Sequence, residues 1–299
     1  MGRTRSLTVT TVMVGVSLLL AGCGSSKSST ASSAPTTAAT DTACSAIQAK
    51  YPALKGKAVN VGIAPTIPGY ETVDPNDPNN LVGFDIDLLK AVSSCAGFTY
   101  SFSRADFQTL VPSLQAGRID MVISNLIASD ARAQQVNFVI YQKDEEALIV
   151  ANGNPKKING VSDLCGKSLA VFPGTVQAGA AQTQSTACTS SGKPAIDINT
   201  YADFNGCLQG VLTGRSDAFI NPVSVVALSV AKYPQQLSAT PPIPEFRSLI
   251  GMAFNKSTTD LRDAVFAATK AVQAKGTEKA LFTQWQQDPN DEATASLLP

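Results

Sequence analysis

Two places in the chain carry groups suited to holding a small anion. Arg132 offers a planar guanidinium fork that matches the two oxygens of a carboxylate. Gly174 and Thr175 open a helical stretch, and the unpaired N–H groups at a helix start form an anion site. On its own, a surface arginine beside Asp130 is the plainer reading of the first. Histidine is absent, which removes the commonest general base and metal ligand together. No catalytic residue, metal or cofactor is therefore expected. Asp85 and Asp87 could form an acid–base pair, but acids favour the first turn of a helix, so a cap at Asp85 and a solvated Asp87 are the simpler assignment.

The elements that must position these groups are written twice. Ala202 to Ile220 aligns without a gap under Ala105 to Ile123, matching Ala105, Asp106, Phe107, Gly117, Arg118, Asp120 and Ile123. Shared helix-to-strand turn chemistry explains the glycines but not Ala-Asp-Phe so far upstream of Gly-x-x-Asp. A repeat of roughly 100 residues is too long for a solenoid unit and implies two similar domains. The first copy runs on through Ser124 and Asn125 to Arg132; the second ends at Asn221 and Pro222. Cys207 falls where Leu110 sits in the other copy, a core position.

The 299 residues suffice for two ordinary domains, and 44% apolar with 15% charged residues describes a soluble globular protein. Net charge is zero, so no nucleic-acid partner is indicated. Residues 1–22 read as an export signal, with Arg3 and Arg5 before the apolar stretch Leu7 to Leu20. Residues 23–56 read as a flexible tether and N-terminal segment, rich in Ser, Thr and Ala up to Ala43. An exported chain keeps its disulfides. Pairing Cys44 with Cys95 would pin the N-terminal segment to the first helix; pairing Cys165 with Cys188 would close a loop in the second domain. Cys207 is left free.

Along the chain, strands are predicted at Ala58 to Ile63, Phe98 to Phe102, Val136 to Tyr141, Ala147 to Val150, Leu169 to Phe172, Pro194 to Thr200 and Leu249 to Phe254. Helices are predicted at Gly83 to Ala96, Val176 to Gln184 and Leu261 to Ala274, with a last one from Gly276. Thr66 to Asn80 reads as a loop dense in turn formers, a natural ligand contact. Alternating strands and helices imply an α/β architecture with mostly parallel sheets.

Leu20-Ala21-Gly22-Cys23 resembles the bacterial lipobox, at which Cys23 becomes lipidated. That motif, with Gly83-Phe84-Asp85-x-Asp87-Leu88, Leu110-x-Pro112-x-Leu114-x-x-Gly117-x-x-Asp120, Arg132 six residues before Phe138, Asp163-Leu164-x-Gly166-Lys167, Gly174-Thr175 and Gly214-Arg215-x-Asp217-Ala218, resembles the family 3 solute-binding proteins of ABC importers. The resemblance covers about Val59 to Trp285. It implies a two-lobed periplasmic-binding-protein-like II fold with two hinge crossings and a ligand trapped on closure. The lobes would be residues 57–144 with 246–299, and residues 145–245.

By resemblance, the ligand is a small carboxylate-bearing solute, an amino acid or derivative, with Arg132 and the Gly174–Thr175 helix start on its carboxylate. Phe107 would pack on its apolar part, whereas the repeated Phe204 is core. Ser124, Asn125, Ile67, Tyr70 and Asn221 complete the expected contacts. Three positions depart from the family pattern: Ile67 replaces an aromatic, Ile127 a Ser or Thr, and Pro222 the acid that receives an α-ammonium. Glu71, Asp74 and Glu145 are candidate substitutes for that acid, or the ligand is not a standard α-amino acid. The implied partners are an ABC permease and, through the lipid, the outer face of the cytoplasmic membrane, with the protein a monomer. An exported enzyme of the same fold, of the cyclohexadienyl dehydratase kind, or a ligand-sensing domain is the alternative.

Overall fold

The computed structural model describes residues 41–298; the export signal, the lipobox with Cys23 and most of the tether lie outside them. The described chain begins with helix α1 (Thr42–Lys50), whose N-cap Asp41 accepts from the Cys44 N–H and whose Ile47 enters the core. Then follow β1 (Ala58–Ile63), β2 (Thr66–Ile67), β3 (Glu71–Asp74), β4 (Asp77–Val82), α2 (Phe84–Ala96), β5 (Thr99–Arg104), α3 (Phe107–Gln115), β6 (Met121–Val122), α4 (Asp130–Ala133) and β7 (Asn137–Ala151). The second half gives β8 (Ser168–Val171), α5 (Val176–Ser190), β9 (Asp197–Thr200), α6 (Phe204–Leu212), β10 (Ala218–Pro222), α7 (Val223–Lys232), β11 (Leu237–Ala239) and β12 (Ile243–Phe254). The chain closes with α8 (Thr259–Ala274), α9 (Thr277–Gln284) and β13 (Glu292–Leu298).

The main sheet runs β5-β1-β6-β12-β7-β10-β8-β9, with β11 and β13 also on β7. Lobe I here denotes the elements on the β1 side of the two long central strands, lobe II those on the β8 side. Within each lobe the strands are parallel, β1 with β5 and β6, β8 with β9 and β10. The central strands β7 and β12 pair antiparallel with each other and with their lobe neighbours β10 and β6. The sheet is therefore mixed rather than mostly parallel, because strands that pass between the lobes run out and back. β7 is continuous over 15 residues where sequence reading separates two strands. Its middle, Lys143 to Glu145, is polar but stays hydrogen-bonded to β12, where the register shifts between Ile243 and Arg247.

The repeated motif has a physical basis. Gly117 and Gly214 take left-handed φ values of 68° and 70° just past α3 and α6, the backbone conformation that favours glycine. Three residues on, Asp120 Oδ2 accepts from Asn60 N (2.8 Å) and Asp217 Oδ2 from Ser168 N (2.9 Å). Each aspartate thereby locks the incoming strand to the first strand of its lobe. Leu110 and Cys207 are both fully buried, as are Phe204 and the inward faces of α2 and α8. Cys44 is bonded to Cys95 and Cys165 to Cys188, while Cys207 is a buried free thiol. The potential metal-ligand group Asp41, Cys44 and Cys95 thus has its two sulfurs bonded to each other.

Two local readings change. The predicted loop Thr66 to Asn80 is mostly a small antiparallel sheet, β2-β3-β4, in which Tyr70 and Glu71 are fully buried. The cap of α2 is Gly83, at φ 141°, where a Cβ would lie 2.0 Å from the Tyr70 carbonyl oxygen. Asp85 lies two residues past the cap, within the first turn, and is wholly buried. Its Oδ2 accepts from Asn125 N (2.7 Å) and its Oδ1 from the Tyr141 hydroxyl (2.7 Å). Asp87 is the acid nearer the surface, accepting from Trp285 Nε1 (2.9 Å).

Candidate functional site

The site forms where strand ends and helix starts of the two lobes meet. Arg132 lies on the short helix α4, whose N-cap Ser129 accepts from the Arg132 N–H. Its Nη1 donates to the Ile127 carbonyl (2.6 Å), and its Nη2 crosses to the Gly174 carbonyl of lobe II. The guanidinium also lies over the Phe107 ring, 5.6 Å from its centroid. Among the described residues no carboxylate pairs with it. Burial lowers its pKa to about 10, so it stays charged at neutral pH. Its hydrogen-bond partners are carbonyls alone, so the half-buried cation has no counter-charge among the described residues.

Around it, Asn125 and Asn221 supply polar edges from the equivalent strand ends of the two lobes. Asn125 takes a left-handed φ of 41°, held by its backbone bond to Asp85. Both polar atoms of its side chain, and Nδ2 of Asn221, are buried without a partner. Buried amides left unpaired cost free energy, and a polar ligand would satisfy them. Thr175 caps α5, its Oγ1 accepting from Ala178 N (3.2 Å). Ile67, Val225 and Pro222 add apolar surface.

The cleft is closed. Phe107 of lobe I meets Phe172 of lobe II edge-on, with ring centroids 5.6 Å apart and planes at 78°. Gly174 takes φ +82° and abuts Gln108; a Cβ there would lie 2.6 Å from Gln108 Cα. On the far side the Tyr70 hydroxyl lies 2.9 Å from Ser224 Oγ, which donates to Asp144 Oδ2 (2.6 Å). The void between the cleft side chains is about 20 Å³, room for about one water. A void of that size has no room for an organic solute.

Six of the nine expected contacts line this void: Ile67, Phe107, Asn125, Arg132, Thr175 and Asn221. Gly174 stands at its edge, its carbonyl accepting from Arg132 Nη2. Ser124 and Tyr70 stand behind the wall. Ser124 is fully buried, accepting from Ala64 N (3.0 Å) and donating to Glu71 Oε1 (3.0 Å). Tyr70 is likewise buried and bonded to Gln142 and Ser224. Phe172, Val176, Gln177 and Val225 line the cleft without a sequence signal beyond their neighbours. Only Val176 and Gln177, one and two residues past Thr175, could have been reached from it.

None of the three acids weighed as substitutes at position 222 lines the cleft. Glu71 is fully buried and hydrogen-bonded to Asp85 and Ser124. Burial, then the Asp85 charge, pushes its carboxyl well above the usual range, so it is the protonated member of the pair. Asp74 accepts from Asn76 N in the turn between β3 and β4. Glu145 pairs with Arg247 (3.6 Å) at the surface.

Two lobes joined by crossing strands, with a cationic group and unpaired amides in the closed cleft, define a protein that encloses a small polar solute. The family of bacterial extracellular solute-binding proteins, family 3, matches residues 59–288, and the chain belongs to that family. It is 27% identical over 230 residues to the ABC transporter arginine-binding protein 1 of Escherichia coli (strain K12), covering 76% of this chain and 90% of that one. It is 27% identical over 252 residues to the histidine-binding periplasmic protein of Salmonella typhimurium (strain LT2), covering 81% and 92%. Among solved structures, an ancestral arginine-binding protein bound to arginine superposes with a TM-score of 0.69 at 27% identity, over 78% of this chain and 99% of that one.

Proposed function

We propose that the protein is an extracytoplasmic binding lipoprotein of an ABC importer, closing lobe I (residues 57–144 and 246–299) and lobe II (residues 145–245) on an amino acid or related carboxylate-bearing solute. The observation that carries this reading is Arg132: a cation in the closed cleft, satisfied only by two carbonyls and an aromatic face. A ligand carboxylate displacing the Gly174 carbonyl would gain a bidentate, charge-assisted pair. It would also meet the start of α5, whose N–H groups and dipole favour an anion. The relatives named for arginine and histidine binding support an amino-acid solute. The protein works as a monomer handing its solute to a permease. Cys23, after export, would carry the lipid that holds it on the outer face of the cytoplasmic membrane.

Calorimetric titration with the standard amino acids, on wild type and Arg132→Ala, tests the reading. Saturable binding without turnover, lost in the variant while the empty protein melts at nearly the same temperature, is the expected result. Turnover of the bound solute, or undiminished binding by Arg132→Ala, would sink it. For the anchor, Cys23→Ala is expected to leave the membrane fraction; continued membrane association would refute lipidation at that residue.

A further inference from the structure

The cleft has an unmatched cation in Arg132, and the sheet beside it carries an unmatched carboxylate that none of the preceding assignments uses. Glu146 lies on β7 where that strand passes from one lobe to the other, and its antiparallel ladder partner on β10 is Pro222. Residues directly opposite in such a ladder project to the same face, with Cβ atoms about 4.5–5.5 Å apart. Pro222 is part of the cleft wall, so Glu146 stands one strand away from it on the same side. Glu146 as a whole is 2% exposed. Its Oε2 accepts from Gln177 Nε2 (3.1 Å) and its Oε1 from Ser248 Oγ (2.8 Å). Both donors are neutral, and no basic side chain pairs with it among the described residues.

Gln177 connects the two charges. It lines the void beside Arg132 and also an adjoining groove walled by Glu146, Ser248 and Arg247, the last paired with Glu145, and the two spaces share Ile127 and Val176 as well. The other acids near the hinge are committed elsewhere: Asp144 to Ser224, Glu145 to Arg247, and Glu71 to Asp85 and Ser124. A carboxylate removed from water with only neutral donors is poorly compensated, and burial pushes the Glu146 carboxyl up to about 7, so a cationic partner would draw it into its charged form; a half-buried guanidinium facing carbonyls is likewise poorly compensated. A solute bearing both charges corrects the two deficits at once.

Resting on the reading that Arg132 takes the solute's carboxylate, we propose that Glu146 receives a cationic nitrogen of the same solute, entering past Gln177, and that the site selects zwitterionic over purely anionic ligands. Position 222 then needs no acid, because the acid is supplied by the neighbouring strand. The nitrogen is either the α-ammonium or the cation of a basic side chain, and both offer the same N–H donors to Glu146.

The test is titration calorimetry on the mature protein. It uses whichever standard L-amino acid stabilises it most in thermal melts, that acid's des-amino analogue and, for a basic acid, an analogue with a neutral side chain. Wild type is expected to prefer the amino acid over at least one analogue. Glu146→Gln should weaken amino-acid binding roughly tenfold or more and erase that preference, while affinity for the disfavoured analogue stays within about twofold. The analogue whose disadvantage disappears identifies the nitrogen. Preference surviving intact in Glu146→Gln, or equal losses for every ligand, overturns the proposal. Should Glu146→Gln fail to fold, Glu146→Asp keeps the charge but withdraws it by one methylene; an unchanged preference there is equally fatal. Undiminished amino-acid binding by Arg132→Ala would instead overturn the carboxylate reading, and no binding by any standard amino acid would overturn both.

Discussion

Gly174 of lobe II stands against Gln108 of lobe I so closely that a single added methyl group would overlap the Gln108 backbone, at 2.6 Å from its Cα. The glycine at the start of α5 is thus fixed twice, by its φ of +82° and by the lobe facing it. Gly174→Ala should cost about 1–2 kcal/mol of stability for the left-handed backbone. It should also hold the lobes apart. Small-angle scattering of the variant is expected to give a larger radius of gyration than wild type, with weaker binding. An unchanged radius and affinity would mean that the two backbones have room to slide.

Arg132→Lys separates charge from shape. Lysine keeps the positive charge but loses the planar fork and the stacked contact with Phe107. Charge-assisted hydrogen bonds contribute about 1.5–3 kcal/mol, so affinity should fall at least tenfold although the cleft stays cationic. Equal affinity in a calorimetric titration would show that the site needs only a point charge.

Glu278, in the first turn of α9, is completely buried, and neither of its carboxyl oxygens has a hydrogen-bond donor. Burial pushes its pKa up to about 8 from the ordinary 4.5. The folded state therefore holds a proton that the unfolded chain releases. Its stabilising contribution is complete below pH 4.5 and is lost as pH rises toward 8, at up to about 1.4 kcal/mol per pH unit. Urea unfolding between pH 5 and 9 is expected to show stability falling with pH, less steeply in Glu278→Gln. Identical slopes in the two proteins would acquit this residue.

The two disulfides should contribute unequally. Chain entropy assigns about 4 kcal/mol to Cys44–Cys95, across a separation of 51 residues, and about 3 kcal/mol to Cys165–Cys188, across 23. Serine replacements compared by denaturant unfolding check the order. Cys207 should resist thiol reagents until the chain unfolds, because burial pushes its pKa up to about 12. Peptide mapping after labelling the native protein would reveal any modification there.

Much of this was legible in the sequence because it is periodic or chemical. The duplicated Ala-Asp-Phe and Gly-x-x-Asp mark matching helices and matching strand locks, and Arg132 stands out as a cation at the end of a strand segment. The remainder was hidden for physical reasons. α7 reads VSVVALSVAK, apolar on most sides and rich in β-branched residues, so no helical stripe separates it from a strand. Residues 66–80 look like a loop because their strands are short and punctuated by proline and glycine, while tertiary packing buries Tyr70 and Glu71. Asp85 resembles a cap by position, yet its partners Asn125 and Tyr141 are 40 and 56 residues away. Glu146 is the clearest case: its neighbour across the ladder is Pro222, and only strand register brings them side by side.

The last strand gives the fold a property of another kind. β13 lies along β7 from Phe138 to Gln142, on the lobe I portion of the strand that continues through Glu146 into lobe II. The final residues thus splint the strand that joins the two lobes, and bending it there would break their backbone bonds. Tags, fusions or trims made beyond Pro289 therefore bear on the strand that joins the lobes and not on the residues lining the cleft.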